Sequence, residues 1–278
     1  MPLKFSIVIP SYMQATWLES CLKSVLGQQG VELEAIVMDG GSTDGSKEII
    51  ERYASRLAYW QSCKDGGQSA AIRAGFARAT GDVFAWLNSD DVYMPNALAK
   101  VSRFFESHPG EEVVTGGSFH IDGAGNTTYP WTGFRLNHTL GVAASHRRFL
   151  YYSPMQGVWQ PSTFWRRVAY EAVGGMDPQF HYCMDFDLFT RLSKRRRFAV
   201  LPEMLSCFRW HDSNKSHMLM DTYHREIKIW AAKYGVERVP WWFKRAIFAR
   251  YHVPVGLRAI RAVARERLGL VKLDAPRW

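Results

Sequence analysis

Cysteine is scarce. Four residues in 278, Cys21, Cys63, Cys183 and Cys207, are scattered with no Cys-x-x-Cys pair. That spacing argues against a disulfide framework or a zinc site and for free thiols in a reducing compartment. Also missing is a run of about 18 apolar residues of the kind that crosses a membrane. The opening MPLKFSIVIPSY has neither the long apolar stretch nor the small-residue cleavage site of a secretory signal. The expected location is therefore cytoplasmic. No Gly-x-Gly-x-x-Gly follows the first strand-like run, which excludes a Rossmann oxidoreductase. The turn there, Pro10-Ser-Tyr-Met-Gln14, carries no cation, unlike the Gly-rich, Arg/Lys-bearing loop of a nucleotidyltransferase. No internal repeat and no low-complexity segment is visible.

What is present suits a packed globular chain, since 47% hydrophobic and 14% aromatic residues leave no case for disorder. The net charge of +9 is concentrated at the end. From Glu237 onward ten Lys/Arg face three acidic residues, so the first 236 residues are nearly neutral. Charge placed this way predicts a surface-binding tail and not a nucleic-acid-binding body.

The first hundred residues alternate strand and helix patterns. Phe5–Ile9, Leu33–Met38, Leu57–Gln61 and Asp82–Leu87 read as strands. Trp17–Leu26, Lys47–Arg56, Ser69–Ala79 and a segment opening at Pro95 read as helices. Repeated β-α-β units imply a mostly parallel sheet flanked by helices, with ligands at the carboxyl ends of the strands. Polar clusters at 10–14, 39–45 and 88–91 fall there. Val113–Trp131 reads as a hairpin turning at Asp122-Gly-Ala-Gly125, and 132–157 has no readable period and is expected to hold a mobile loop. Thr163–Val173, Phe186–Lys194 and His217–Tyr234 read as helices, Phe198–Leu201 and Met204–Trp210 as strands. Trp241-Trp242-Phe243 then leads into basic helices to about Leu268.

Two clusters carry chemistry. Trp86-Leu-Asn-Ser-Asp-Asp91 ends a buried-looking strand. Adjacent carboxylates repel, and a hard cation shared with a diphosphate relieves that repulsion. A solvated turn with Asp91 capping the next helix accounts for the same residues. Met38-Asp-Gly-Gly-Ser-Thr-Asp-Gly-Ser46 follows the second strand. There an Asp can accept hydrogen bonds from a nucleobase or ribose, and the glycines admit close backbone approach; Asp44 also reads as a helix cap.

Taken together, Ser6-Ile-Val-Ile-Pro-Ser-Tyr12, Met38-Asp-Gly-Gly-Ser-Thr-Asp44, Asp65-Gly-Gly-Gln-Ser69, Gly81-Asp82 and Leu87-Asn-Ser-Asp-Asp91 stand in the order and spacing of glycosyltransferase family 2, which the chain resembles over roughly residues 4–217. Gln160-Pro-Ser-Thr-Phe164, Val173-Gly-Gly-Met-Asp177, Asp185-Phe-Asp-Leu188 and Phe208-Arg-Trp-His211 continue the match. The resemblance implies an α/β GT-A (nucleotide-diphospho-sugar transferase) fold with a C-terminal helical extension. It divides the chain into a catalytic domain, 1–216, with a donor half to about 110 and an acceptor half after it, and a basic helical extension, 217–278. It further implies an inverting, Mn²⁺- or Mg²⁺-dependent transferase that moves one sugar from a nucleotide-sugar, most commonly a UDP-sugar, to an acceptor hydroxyl. Many relatives use a lipid-linked, polyprenyl-type glycan acceptor in surface-polysaccharide synthesis.

Carried over position by position, Pro10, Tyr12, Asp39 and Asp65 become nucleotide contacts, with Arg73 at the phosphate or nucleobase. Asp91 becomes the direct metal ligand, Asp90 a contact to ribose or bound water, His211 a further metal or diphosphate contact, and Asp185 the catalytic base. Single displacement needs one such carboxylate near the acceptor hydroxyl. Tyr152, Gln156, Trp159 and Gln160 lie where this family builds its acceptor site. The chain departs from the family at Met13 and Arg73, where Asn is frequent, and at Met184, where the first acid of the base pair is absent. Processive synthases' membrane helices and Gln-x-x-Arg-Trp element are absent too, which favours addition of one sugar. The tail pairs a Leu257/Ile260/Ala264/Leu268 stripe with flanking arginines and aromatic anchors. It is expected to dock on anionic lipid at the inner face of the cytoplasmic membrane. The alternatives are a nucleotidyltransferase-like enzyme and an inactive, basic, membrane-binding relative.

Overall fold

The computed structural model describes residues 3–129, 158–212, 214–215, 220–235 and 242. Strands β1 (Lys4–Ser11), β2 (Glu32–Asp39), β3 (Tyr59–Ser62) and β4 (Val83–Trp86) alternate with helices α1 (Ala15–Leu26), α2 (Ser46–Tyr53) and α3 (Gln68–Phe76). Next come β5 (Val92–Tyr93), α4 (Ala97–Ser107), β6 (Val113–Ile121), β7 (Thr127–Tyr129) and β8 (Thr163–Arg166). The described chain closes with α5 (Arg167–Ala172), α6 (Met184–Arg195), β9 (Ala199–Arg209) and α7 (Met220–Tyr234). One sheet runs β3-β2-β1-β4-β8-β6-β9-β5, with β7 paired to β6.

The sheet is sandwiched because its central strands are apolar on both faces. In β1, Phe5, Ile7 and Ile9 point to one side, where they meet Leu18, Leu22 and Val25 of α1 and Leu98, Val101 and Phe105 of α4. Val8 points to the other side and joins Ile36, Met38, Ile72, Phe76, Phe84, Trp86 and Trp165. The period of two places successive side chains on opposite faces, and each large residue fully buried contributes about 1.5–3 kcal/mol. Gly75 lets α3 lie against this second face, since a Cβ there would sit 2.5 Å from Val8 Cγ1.

The parallel reading holds for β1 to β4. Beyond β4 the sheet is mixed: β8 is antiparallel to β4 and β6, β5 antiparallel to β9, and β6 parallel to β9. The helix expected over Thr163–Val173 starts only at Arg167. Thr163, Phe164 and Trp165 are buried between β4 and β6 and pair with both as β8. The two strands expected over 198–201 and 204–210 are one, β9, with a register shift opposite Thr115–Gly117 that absorbs Pro202. The hairpin at Asp122 forms: Asp122 Oδ1 accepts the Ala124 and Asn126 N–H groups at 2.9 Å each.

Helix α7 packs into the core. Trp230 is buried with Phe186, Phe189 and Leu192 of α6, and its Nε1 donates to Thr190 Oγ1 at 3.2 Å. No helix of the described residues is long and apolar enough to cross a membrane. The segment 130–157, with Tyr152 and Gln156, and the basic tail from 236, Trp242 excepted, lie outside the described residues.

Candidate active site

The polar clusters converge at the carboxyl ends of β1, β2 and β4. Asp39, the last residue of β2, is fully buried. Its carboxylate accepts from Gly41 N–H (3.1 Å), Ser42 N–H (2.9 Å), Ser42 Oγ (2.6 Å) and Ser62 Oγ (2.6 Å). Four donors occupy about all the lone-pair sites of a carboxylate, so Asp39 shapes the 40–44 loop from within. Gly41 turns that loop at φ 83°, a left-handed conformation that favours glycine. Asp44 accepts from Ala15 N–H (2.9 Å) and Ser46 N–H (3.1 Å), holding the starts of α1 and α2 together. Pro10 is buried inside β1.

The open surface beside this loop belongs to Tyr12, 65% exposed, and Asp65, half-buried, whose Oδ1 accepts Gly67 N–H at 2.7 Å. Gly40 lies between them: a Cβ there would stand 3.1 Å from the Tyr12 ring and 3.5 Å from both Asp65 oxygens. Tyr12, Gly40 and Asp65 thus form one contiguous wall. Met13 faces the same loop at φ 54°, with its N–H on Ser42 Oγ at 2.8 Å. Arg73 lies on the exposed face of α3, more than a turn beyond the helix start.

The two acids of the Asn-Ser-Asp-Asp turn have opposite fates. Asp91 is fully buried; Oδ1 accepts Arg209 N–H at 2.9 Å and Oδ2 accepts Asn88 Nδ2 at 3.4 Å. Burial, then the charge of Asp90, pushes its carboxyl well above the ordinary range. Asp91, expected as the direct metal ligand, ties the turn to β9 through these bonds. Asp90 takes the outward place. Its Oδ2 lies 3.0 Å from His211 Nε2 and accepts Asn214 Nδ2 at 3.3 Å. The His211 ring stacks on Trp17 with centroids 3.8 Å apart. Arg209 braces the turn from behind, its Nε on the Asp90 carbonyl (2.8 Å) and its Nη1 on the Asp122 carbonyl (3.1 Å).

Asp185 sits in the first turn of α6, accepting Phe186 N–H at 2.8 Å. Burial raises its carboxyl to about 6, opposed by that N–H and by the charge of Lys215. Its neighbours in sequence are otherwise engaged. Asp187 is fully buried against Arg191 (2.6 Å), Lys233 (2.7 Å) and Tyr234 OH (2.7 Å), and Asp177 pairs with Lys233 at 2.8 Å.

Sequence reading missed Lys215. Its ammonium donates to Gln68 Oε1 at 2.7 Å and to the His181 carbonyl, and burial lowers its pKa to about 8. Gln68 Nε2 in turn donates to Asn88 Oδ1 at 2.8 Å. A polar chain thus joins the loop before α6, at His181, to the Asn-Ser-Asp-Asp turn. A cation directly after an Asn in His-Asp-Ser-Asn-Lys has no signal of its own in the sequence. Gln160, expected at the acceptor, is buried, with Nε2 on the Trp86 carbonyl at 2.7 Å. Trp159 stays partly exposed and begins an aromatic row: His120 at 5.2 Å, Phe208 at 5.4 Å from His120, and Trp210, 47% exposed, at 6.1 Å from Phe208.

A parallel donor-side half, an acidic turn at the end of its last strand and a carboxylate on a following helix define a nucleotide-sugar transferase architecture. The chain belongs to glycosyl transferase family 2, whose model matches residues 6–174. An uncharacterized glycosyltransferase of Nostoc sp. is 34% identical over 125 residues, 43% of this chain and 37% of its own length. The chain therefore spans well under half of that relative. Among solved structures, residues 1–349 of S. aureus TarS in complex with UDP-GlcNAc superpose with a TM-score of 0.60 at 20% identity, covering 76% of this chain and 60% of that one. The mannosyltransferase PcManGT of Pyrobaculum calidifontis, in complex with GDP-Man and Mn²⁺, gives 0.59 at 17% identity over 98% and 77%. The fold is GT-A.

Proposed function

We propose that this protein transfers one sugar from a nucleotide-sugar to an acceptor hydroxyl with inversion, Asp185 serving as the base. The observation that carries this reading is the chain Lys215–Gln68–Asn88, which ties to the acidic turn a buried cation whose charge acts on the Asp185 carboxyl, raised to about 6. The nucleoside lies on the Tyr12–Gly40–Asp65 wall and the diphosphate between Asp90 and Lys215. The acceptor oxygen attacks C1 as Asp185 takes its proton. The C1–O bond to the diphosphate breaks, and the leaving charge meets the Lys215 ammonium.

A divalent cation fits the donor set of Asp90 and His211, one carboxylate oxygen and one imidazole nitrogen. Among the described residues no group of three or more His, Cys, Asp or Glu is gathered to hold a metal. Diphosphate oxygens and water would complete the shell, the habit of Mg²⁺ and Mn²⁺. When bound, the ion neutralises the departing diphosphate. The Mn²⁺ of the PcManGT complex is consistent with this assignment. UDP-sugars and GDP-sugars are the first donors to try, given the TarS and PcManGT ligands. The acceptor reading is a lipid-linked glycan, supported by the aromatic row at Trp159 and by the basic tail's composition.

Asp185→Asn tests the reading. It should bind a nucleotide-sugar as the wild type does and lose transfer by roughly 10²–10⁴-fold, the usual share of general-base catalysis. Turnover near the wild-type rate would remove Asp185 from the mechanism.

A further inference from the structure

The loop that delivers Asp185 is held from a distant helix. Helix α6 begins at Met184 and has no side-chain cap of its own at Cys183. Its leading N–H groups need acceptors, as every helix start does. The three amides that lead into it, at 181–183, share one carboxylate. Glu226 of α7 accepts from His181 N–H (3.0 Å to Oε1, 3.1 Å to Oε2), Tyr182 N–H (2.8 Å) and Cys183 N–H (2.9 Å). Three consecutive amides converge on a side chain that is only 3% exposed. The carbonyl of His181 is taken by the Lys215 ammonium, so this residue is clamped on both sides three positions before Met184.

We infer that Glu226 is a positioning residue for the transfer reaction: from α7, it fixes the three amides that set where α6 starts and therefore where Asp185 stands. The negative charge is matched to the task, since it faces the positive end of α6 and converging amide dipoles. α7 lies beyond the 6–174 span of the family model, yet on this reading the reaction depends on it. The inference rests on the assignment of Asp185 as base.

Glu226→Gln separates positioning from mere packing. Gln offers one acceptor oxygen and turns an NH₂ group toward amides that themselves donate. The expected result is a loss of kcat of tenfold or more, a donor KM within about twofold of wild type, and faster hydrogen exchange at amides 181–183. The control is Ile227→Ala, which trims an α7 residue packed on the core without touching those amides; it should lower Tm yet keep kcat. Retention of kcat in Glu226→Gln alongside faster exchange would overturn the inference. So would an equal loss of kcat in Ile227→Ala at matched Tm, or equal losses of kcat and donor affinity in Glu226→Gln. Failure of the underlying reading shows elsewhere and overturns both: wild type and Asp185→Asn would then turn over alike.

Discussion

A carboxylate is a useful base only if it is ionised where the enzyme works and still basic enough to take a proton. As the proposed base, Asp185 would reach that compromise through burial, with the charge of Lys215 opposing the rise. The rate should rise as pH passes about 6, where Asp185 ionises, and fall above about 8, where Lys215 loses its proton. In Lys215→Met the acid limb should move to higher pH, because the cation that favours the carboxylate is gone, and the limb near 8 should vanish. An unmoved acid limb in that variant would disconnect the two groups. The same shift opposes folding. A carboxyl whose folded pKa lies above its ordinary 3.8 contributes stability below that value and loses it as pH rises through about 6. Asp185→Asn should therefore raise Tm more at pH 8 than at pH 4. At this scale the family resemblance singled out Asp185 and gave Asp91 and Asp90 different roles, but which of the two acids is buried was not legible. Which one faces inward is decided by β9, which brings Arg209 N–H to Asp91, a contact 118 residues away.

Among the elements, those with a strong pattern were legible. The continuous apolar runs of β1, β2 and β4 and the Leu18/Cys21/Leu22/Val25 stripe of α1 match the burial found. β5 is two residues long and shorter than any period. β8 runs into α5 with no breaking residue between Arg166 and Arg167, so the helical spacing of the second half masked the first. Glu226 was invisible for a different reason: backbone amides, its partners, have no sequence signature. The packing of α3 on β1 makes a testable claim. Gly75→Ala gains about 1 kcal/mol of helix propensity but drives a methyl to 2.5 Å from Val8 Cγ1, and β-branched Val8 has no flexible end to swing aside. Overpacking of this kind typically costs about 1–3 kcal/mol, so urea or thermal melts should show a net loss. Val8→Ala should recover part of it. A double mutant whose losses simply add would show that the two residues do not share the strain.

At the scale of the whole molecule, the proposed nucleotide site draws on distant parts of the chain: Tyr12 and Asp65 from the first β-α-β units, Asp90 from the acidic turn, His211 and Lys215 from beyond β9. Calorimetry of UDP or GDP should show binding with Mn²⁺ or Mg²⁺ and at least a tenfold loss in EDTA, with a similar loss in Asp90→Asn and a smaller response to metal. Equal affinity in EDTA would strip Asp90 and His211 of a metal role. The Lys215–Gln68–Asn88 chain has a practical consequence. Donor preference in such proteins invites exchange of the first hundred residues between relatives as though they were a cassette. Here the cassette boundary cuts between Gln68 and the lysine that holds it at 2.7 Å, so a swapped donor half would meet a foreign cation at its seam. Recombinants that carry residues 211–226 together with 1–110 should keep working partners, and those that split them should fold around a mismatched pair.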